Sequence, residues 1–224
     1  MRTRFLSTTN WLISAALLGL MILFTLPMPA SASLRIVGKS RHTALWQRIY
    51  DHLPEGWKTD QTVIVQEVSP ADLNGNRGGE EAYDGRDDNE NDQDTSIDGD
   101  YQEGDEEEGQ LPTIRLSSAL DDEDAGLVFA HEYGHFIWNE KLTRAQRREY
   151  RHLWWQQSES GHLVTEYAGD DPEEGFAEAF SYFVQRPARL RRRDEESWRF
   201  LLSLQQDLKK RESPDAPQAD QLLQ

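Results

Sequence analysis

The 224-residue chain contains no cysteine. Disulfides, thiolate metal ligands and cysteine nucleophiles are therefore excluded, and any metal site must be built from His, Asp and Glu. Basic charge is also scarce, 24 Lys and Arg against 41 Asp and Glu. No basic patch with interleaved aromatics is present, which argues against nucleic acid as a partner. The run Arg189, Arg191, Arg192, Arg193 is short and reads as a solvated helix surface or helix end. Beyond residue 32 no apolar run approaches the roughly 20 residues a spanning helix requires.

The acidic excess is local. Between Glu80 and Glu108 there are fifteen Asp and Glu and a single Arg, a net of −14 out of the chain's −17. The remainder is close to neutral, so a salt-adapted surface is not indicated. At the N-terminus, Arg2 and Arg4 precede an apolar stretch from Trp11 to Leu26, and Ala30-Ser31-Ala32 follows. This is the layout of a secretory signal peptide over residues 1–32, cut after Ala32. An uncleaved anchor is the alternative, but the apolar stretch is short and the small-residue box follows it directly. The expectation is a secreted, extracellular, monomeric protein without a lasting membrane anchor. Residues 33–212 would form one domain, residues 84–109 an acidic, disordered insertion, and residues 213–224 a disordered tail.

Periodicity predicts strands at Leu34–Val37, Thr62–Val68 and Thr113–Leu116. Gly78, Gly79, Ala82 and Tyr83 suggest a turn and the start of a further strand. Helices are predicted from Ser40 to Leu53, through Ala125–Trp138, from Arg144 to about Gln157 behind a Thr143/Gln146 capping box, over Glu173–Gln185, and over Glu195–Lys210. A small mixed sheet followed by helices is an α+β layout.

One short pattern carries chemistry: His131-Glu132-Tyr133-Gly134-His135. On a helix, residues four apart share a face, so both imidazoles reach one metal ion while Glu132 lies beside that face. A solvated histidine pair is the plainer alternative. However, the motif sits in a mostly apolar helix preceded by Asp121, Asp122, Glu123 and Asp124, and buried imidazoles need partners that a metal would supply together. Downstream, Glu174 and Glu178 also share a helix face. Either could be the third ligand, with the other holding a ligand histidine.

Three segments, His131-Glu132-Tyr133-Gly134-His135, Glu166-Tyr167-Ala168 and Glu174-Gly175-Phe176-Ala177-Glu178-Ala179-Phe180, together resemble the anthrax lethal factor-like metallopeptidases. The layout is similar to the small secreted members, which include the clostridial Pro-Pro endopeptidases. The resemblance implies a zincin-like domain with one Zn²⁺ on His131, His135 and Glu174, and a catalytic role for Tyr167, seven residues before Glu174. On the motif's own chemistry Glu132 would be the general base, Tyr167 would donate a hydrogen bond to the oxyanion, and Glu178 would be the outer partner of His131 or His135. The substrate would be a protein or peptide, and no residue pattern points to a proline preference. The acidic stretch and the tail beyond Glu212 depart from the family pattern.

Other residues carry weaker readings. Asp94, Ser96, Asp98 and Asp105 have the spacing of a calcium loop of EF-hand type, although position twelve holds Asp and Asp-rich stretches produce such spacing easily. His42, His52, His152 and His162 read as surface or cap residues. Trp46, Trp138, Trp154, Trp155 and Trp198 read as core, with Trp138 a candidate border of the cleft. Two alternatives stand beside the peptidase: a catalytically silent binding module whose acidic segment takes calcium or a basic partner, and a hydrolase of non-peptide amides in cell-wall material. Glu132 and Tyr167 favour the peptidase, since a binding module requires neither.

Overall fold

A computed structural model describes residues 34–59, 61–75, 98–105 and 107–211. The predicted signal peptide, the predicted turn at Gly78–Tyr83, Asp94, Ser96 and residues 213–224 lie outside the described residues. Among those described, no helix is long and apolar enough to cross a membrane.

The fold is a four-stranded mixed sheet followed by a helical layer. Strands β1 (Leu34–Val37), β2 (Val63–Val68), β3 (Gly99–Gln102) and β4 (Thr113–Ser117) lie in the order β1-β2-β4-β3. The β1/β2 and β2/β4 pairs are parallel, and β3 runs antiparallel to β4 along one edge. Alternation decides which face is buried: Val63, Val65, Ile114 and Leu116 are fully buried.

Helices α1 (Thr43–His52) and α2 (Pro70–Gly75) follow the first two strands. The motif helix α3 (Asp122–Phe136) opens where the acidic residues predicted, with the Asp121 carboxylate accepting from the N–H groups of Glu123 and Asp124. It continues into a π-helical turn at Ile137–Lys141. Helix α4 (Arg144–Ser160) begins with the Thr143/Gln146 capping box and ends at Gly161 in the left-handed conformation, φ 71°. Helix α5 (Pro172–Gln185) starts on the Asp171 cap with proline in its first turn. Two further helices follow, α6 (Pro187–Arg193) and α7 (Glu195–Arg211).

Helix α3 runs through the interior. Phe129 and Tyr133 pack towards Trp46 and Tyr50 of α1, and Tyr133 also meets Phe180 of α5. The Tyr133 hydroxyl donates to the Trp57 carbonyl, 2.9 Å. Against α5 the approach is very close. A Cβ on Gly134 would lie 2.8 Å from the Ala177 Cα, so only glycine fits there. Gly134→Ala is expected to force the two helices apart and cost about 1–3 kcal/mol, read as a lower denaturant midpoint at unchanged slope. An unchanged midpoint would mean this approach is looser than described.

Several expectations need correction. The end of the presumed disordered insertion is ordered: Gly99–Gln102 pairs with β4, and Arg115 donates to both carboxylate oxygens of the facing Asp100. A cross-strand ion pair gives this acidic stretch its place in the sheet. Of the calcium-loop residues, Asp98 directly precedes this strand and Asp105 follows it, while Asp94 and Ser96 lie outside the described residues. Asp105 closes a turn, its Oδ1 accepting from the N–H groups of Glu107 and Glu108.

Of the two readings given for His42, surface or cap, the structure bears out the cap and not the surface. His42 occupies the N-cap position of α1 and is 1 % exposed, with Nε2 3.2 Å from Asp122 at the start of α3. Among the tryptophans, Trp46 and Trp138 are buried and Trp154 and Trp198 partly so, but Trp155 is 59 % exposed on the outer side of α4. Trp138 packs on Tyr150 and Phe176, which makes it core and not a border of the cleft.

Candidate metal centre

His131 and His135 occupy successive turns of α3, and the antiparallel α5 faces them one turn against one turn. His131 meets Glu178, and His135 meets the Glu173–Glu174 pair. The two Nε2 atoms lie 3.2 Å apart, and Glu174 Oε2 is 3.1 Å from that of His131 and 3.5 Å from that of His135. In a tetrahedral zinc site with bonds of 2.0–2.1 Å, ligand atoms are separated by about 3.3 Å. The three atoms thus already outline one face of such a tetrahedron. Among the described residues they form the one group able to hold a metal ion in this way.

The outer contacts support the same reading. His131 Nδ1 is 3.0 Å from Glu178 Oε1, and His135 Nδ1 is 3.1 Å from Glu173 Oε1. A carboxylate on Nδ1 fixes the Nδ1–H tautomer and leaves the Nε2 lone pair free. Three acceptors, two Nε2 and Glu174 Oε2, therefore converge with no donor between them, and Glu174 Oε2 is buried without a hydrogen-bond partner. Such an arrangement calls for a cation or for protons. Without a metal the protons are held firmly. Burial pulls both imidazoles down, but Glu174 and Glu178 raise His131 on balance to about 9, and Glu173 and Glu174 raise His135 to about 10. Burial likewise works against the Glu174 anion, yet the two histidines hold it below the usual carboxylate range.

Glu132 sits beside the cluster, 6 % exposed. Burial raises its carboxyl to about 7, against the opposing pull of His131 and His135. Edge strand β3 covers it. A Cβ on Gly99 would fall 2.9 Å from Glu132 Oε1 and 2.8 Å from Val128 Cγ1, so a glycine is what lets the strand lie on the carboxylate. Two residues along, the Tyr101 ring meets Phe136 edge-on. Two strand residues and one helical turn both span roughly 6 Å, so β3 tracks α3 along the site.

Tyr167 stands in a 3-10 turn (Tyr167–Gly169), half-exposed, its ring 5.7 Å from that of His131. Burial, followed by the neighbouring Glu174 charge, raises its hydroxyl, so it remains a donor at neutral pH. The turn is braced from two sides. Trp154 Nε1–H donates to the Ala168 carbonyl, 2.7 Å, and its indole occupies the space where a Gly175 Cβ would clash. Thr165 donates to Glu178 Oε2, 2.8 Å, while its hydroxyl oxygen accepts from the Ala168 N–H. Glu178 thus holds both His131 and the segment that carries Tyr167.

All six residues singled out for this centre, His131, Glu132, His135, Tyr167, Glu174 and Glu178, come together here, and Glu178 is assigned to His131. Glu173 was missed. The signal for it is the turn-for-turn match of α3 and α5: once Glu178 faces His131, the partner of His135 must come from residues 173–174. Comparison of the chain with protein-family models, curated proteins and solved structures finds no match.

Proposed function

We propose that the chain is an exported zinc-dependent endopeptidase with a zincin-like domain, akin to the lethal factor-like metallopeptidases and acting on extracellular or surface proteins. The observation that carries this reading is the convergence of His131 Nε2, His135 Nε2 and Glu174 Oε2 on one point with Glu132 beside it. The donor set fits zinc: two imidazoles and one carboxylate, the three protein ligands of a catalytic site.

When bound, zinc would polarise a scissile carbonyl and bring the pKa of a water to about 7. Glu132, with its carboxyl near 7, is suited to take the proton from that water and to pass it to the leaving amine. Tyr167, kept protonated, donates a hydrogen bond to the oxygen on which negative charge develops. Glu178 and Glu173 hold the imidazole tautomers. Substituting Tyr167 with Phe is expected to lower kcat about 10²–10³-fold, the loss typical of one oxyanion donor, with little change in thermal stability because the side chain is half-exposed. An unaltered kcat would remove Tyr167 from the chemistry.

The function itself is tested by incubating zinc-loaded residues 33–224 with a diverse peptide library and reading new termini by mass spectrometry. Cleavage lost on chelation and in Glu132→Ala is the expected result, and the products define the sequence preference. A library left intact by folded, zinc-loaded protein would favour a catalytically silent binding module.

A further inference from the structure

The structure assigns Glu173 as a second positioning residue of the metal centre, one that holds His135 and is itself held by the π-helical turn following the motif. The inference rests on the zinc reading above. Two carboxylates from one helix turn, adjacent in sequence, are divided between two tasks. Glu174 points its Oε2 at the Nε2 pair, whereas Glu173 Oε1 takes the Nδ1 side of His135 at 3.1 Å. The same Glu173 oxygen accepts from Asn139 Nδ2, 3.1 Å.

Asn139 lies within the π-helical turn, where the wider backbone carries its side chain round to face α5. Arg147 of α4 pins that turn from behind, its guanidinium donating to the carbonyls of Trp138 at 2.7 Å and Asn139 at 3.0 Å. A continuous chain of contacts therefore runs from α4 through the π turn and Glu173 to His135. On the other side, Glu178 and Thr165 do the same for His131. Each imidazole thus has its own carboxylate. This arrangement raises the basicity of both ligands and removes the freedom of either ring to turn its other nitrogen inward.

A structural role for Glu173 alone would leave the metal unaffected. The positioning role predicts that Glu173→Ala weakens zinc binding 10–100-fold, measured by competition with a chromophoric chelator on the full domain. It also predicts an altered visible spectrum of the cobalt(II)-substituted protein, because the His135 ring is free to reorient. Glu173→Gln, which keeps an acceptor oxygen but loses the charge, should fall between wild type and Glu173→Ala. Asn139→Ala should shift affinity in the same direction by a smaller factor. Far-UV circular dichroism confirms that each variant is folded. A folded Glu173→Ala variant that matches wild type in both zinc affinity and cobalt spectrum would overturn the assignment. Failure of the wild-type protein to take up either metal would instead overturn the metal centre itself.

Discussion

Glu132→Gln is expected to lower kcat by about 10²–10⁴-fold, the range for loss of a general base, while zinc stays bound. The amide fills the same volume against Gly99, so the fold and the metal site should be undisturbed. In the wild type, kcat/KM should decline on the acid side as the Glu132 carboxyl, which burial raises above the ordinary carboxylate range, becomes protonated. The residual rate of the glutamine variant should lack that acid limb. Two measurements check this: turnover of a library-derived peptide across pH 5–9, and zinc content after gel filtration. Loss of the metal from the variant would make Glu132 a ligand and not a base.

Zinc is expected to be a large source of stability. At a free concentration about 1,000 times its Kd, a ligand bound only by the folded state contributes about 4 kcal/mol. For a domain of this size that corresponds to a rise in Tm of roughly 8–16 °C. The pH dependence of the metal-free form has a definite sign. His131 and His135 titrate near 9 and 10 in the folded protein and near 6.5 when unfolded, so folding takes up protons. That stabilisation is complete below about pH 6.5 and is lost as pH rises through 9 to 10. Glu132, raised to about 7, has already lost its contribution by then and does not mask the change. Metal-free protein should therefore melt at a lower temperature at pH 10.5 than at pH 8. The zinc-loaded form, whose imidazoles are already neutral, should not show this drop. Differential scanning calorimetry with and without zinc at both pH values would read all four states, and a zinc-independent Tm would argue against the cluster as a metal site.

What could be read along the sequence was mostly what is local. The Asp121 cap, the Thr143/Gln146 capping box and the helical spacing of His131 and His135 depend on residues within a few positions of one another, and they stand as expected. β3 was hidden because its reason for existing lies elsewhere: Asp100 is held by Arg115, fifteen residues away, and the surrounding acidic composition masked the pairing. No helix was predicted over residues 187–193, yet Pro187, two residues past the end of α5, opens α6 as its first residue. His42 gave no sign of burial, since what covers it includes the start of α3, eighty residues on.

The same division holds within the site. The shared face of His131 and His135 was legible from spacing, and the placing of Glu174 and Tyr167 beside them from the resemblance. The role of Glu173 was not, because it depends on how closely α5 approaches α3 at Gly134 and on a π turn that no propensity announces. Trp155 shows the limit of residue type as a guide: its neighbour Trp154 turns inward to Ala168, and one step round the helix places Trp155 in solvent.

The most direct test of the account is the zinc bound per chain, measured by equilibrium dialysis and elemental analysis on wild-type protein and on Glu174→Ala. The account predicts one tightly held zinc in the wild type and a large loss of affinity in the variant, whose three converging acceptors are reduced to two. Wild-type protein that is folded and binds no zinc, or a Glu174→Ala variant that binds it as well as wild type, would contradict it.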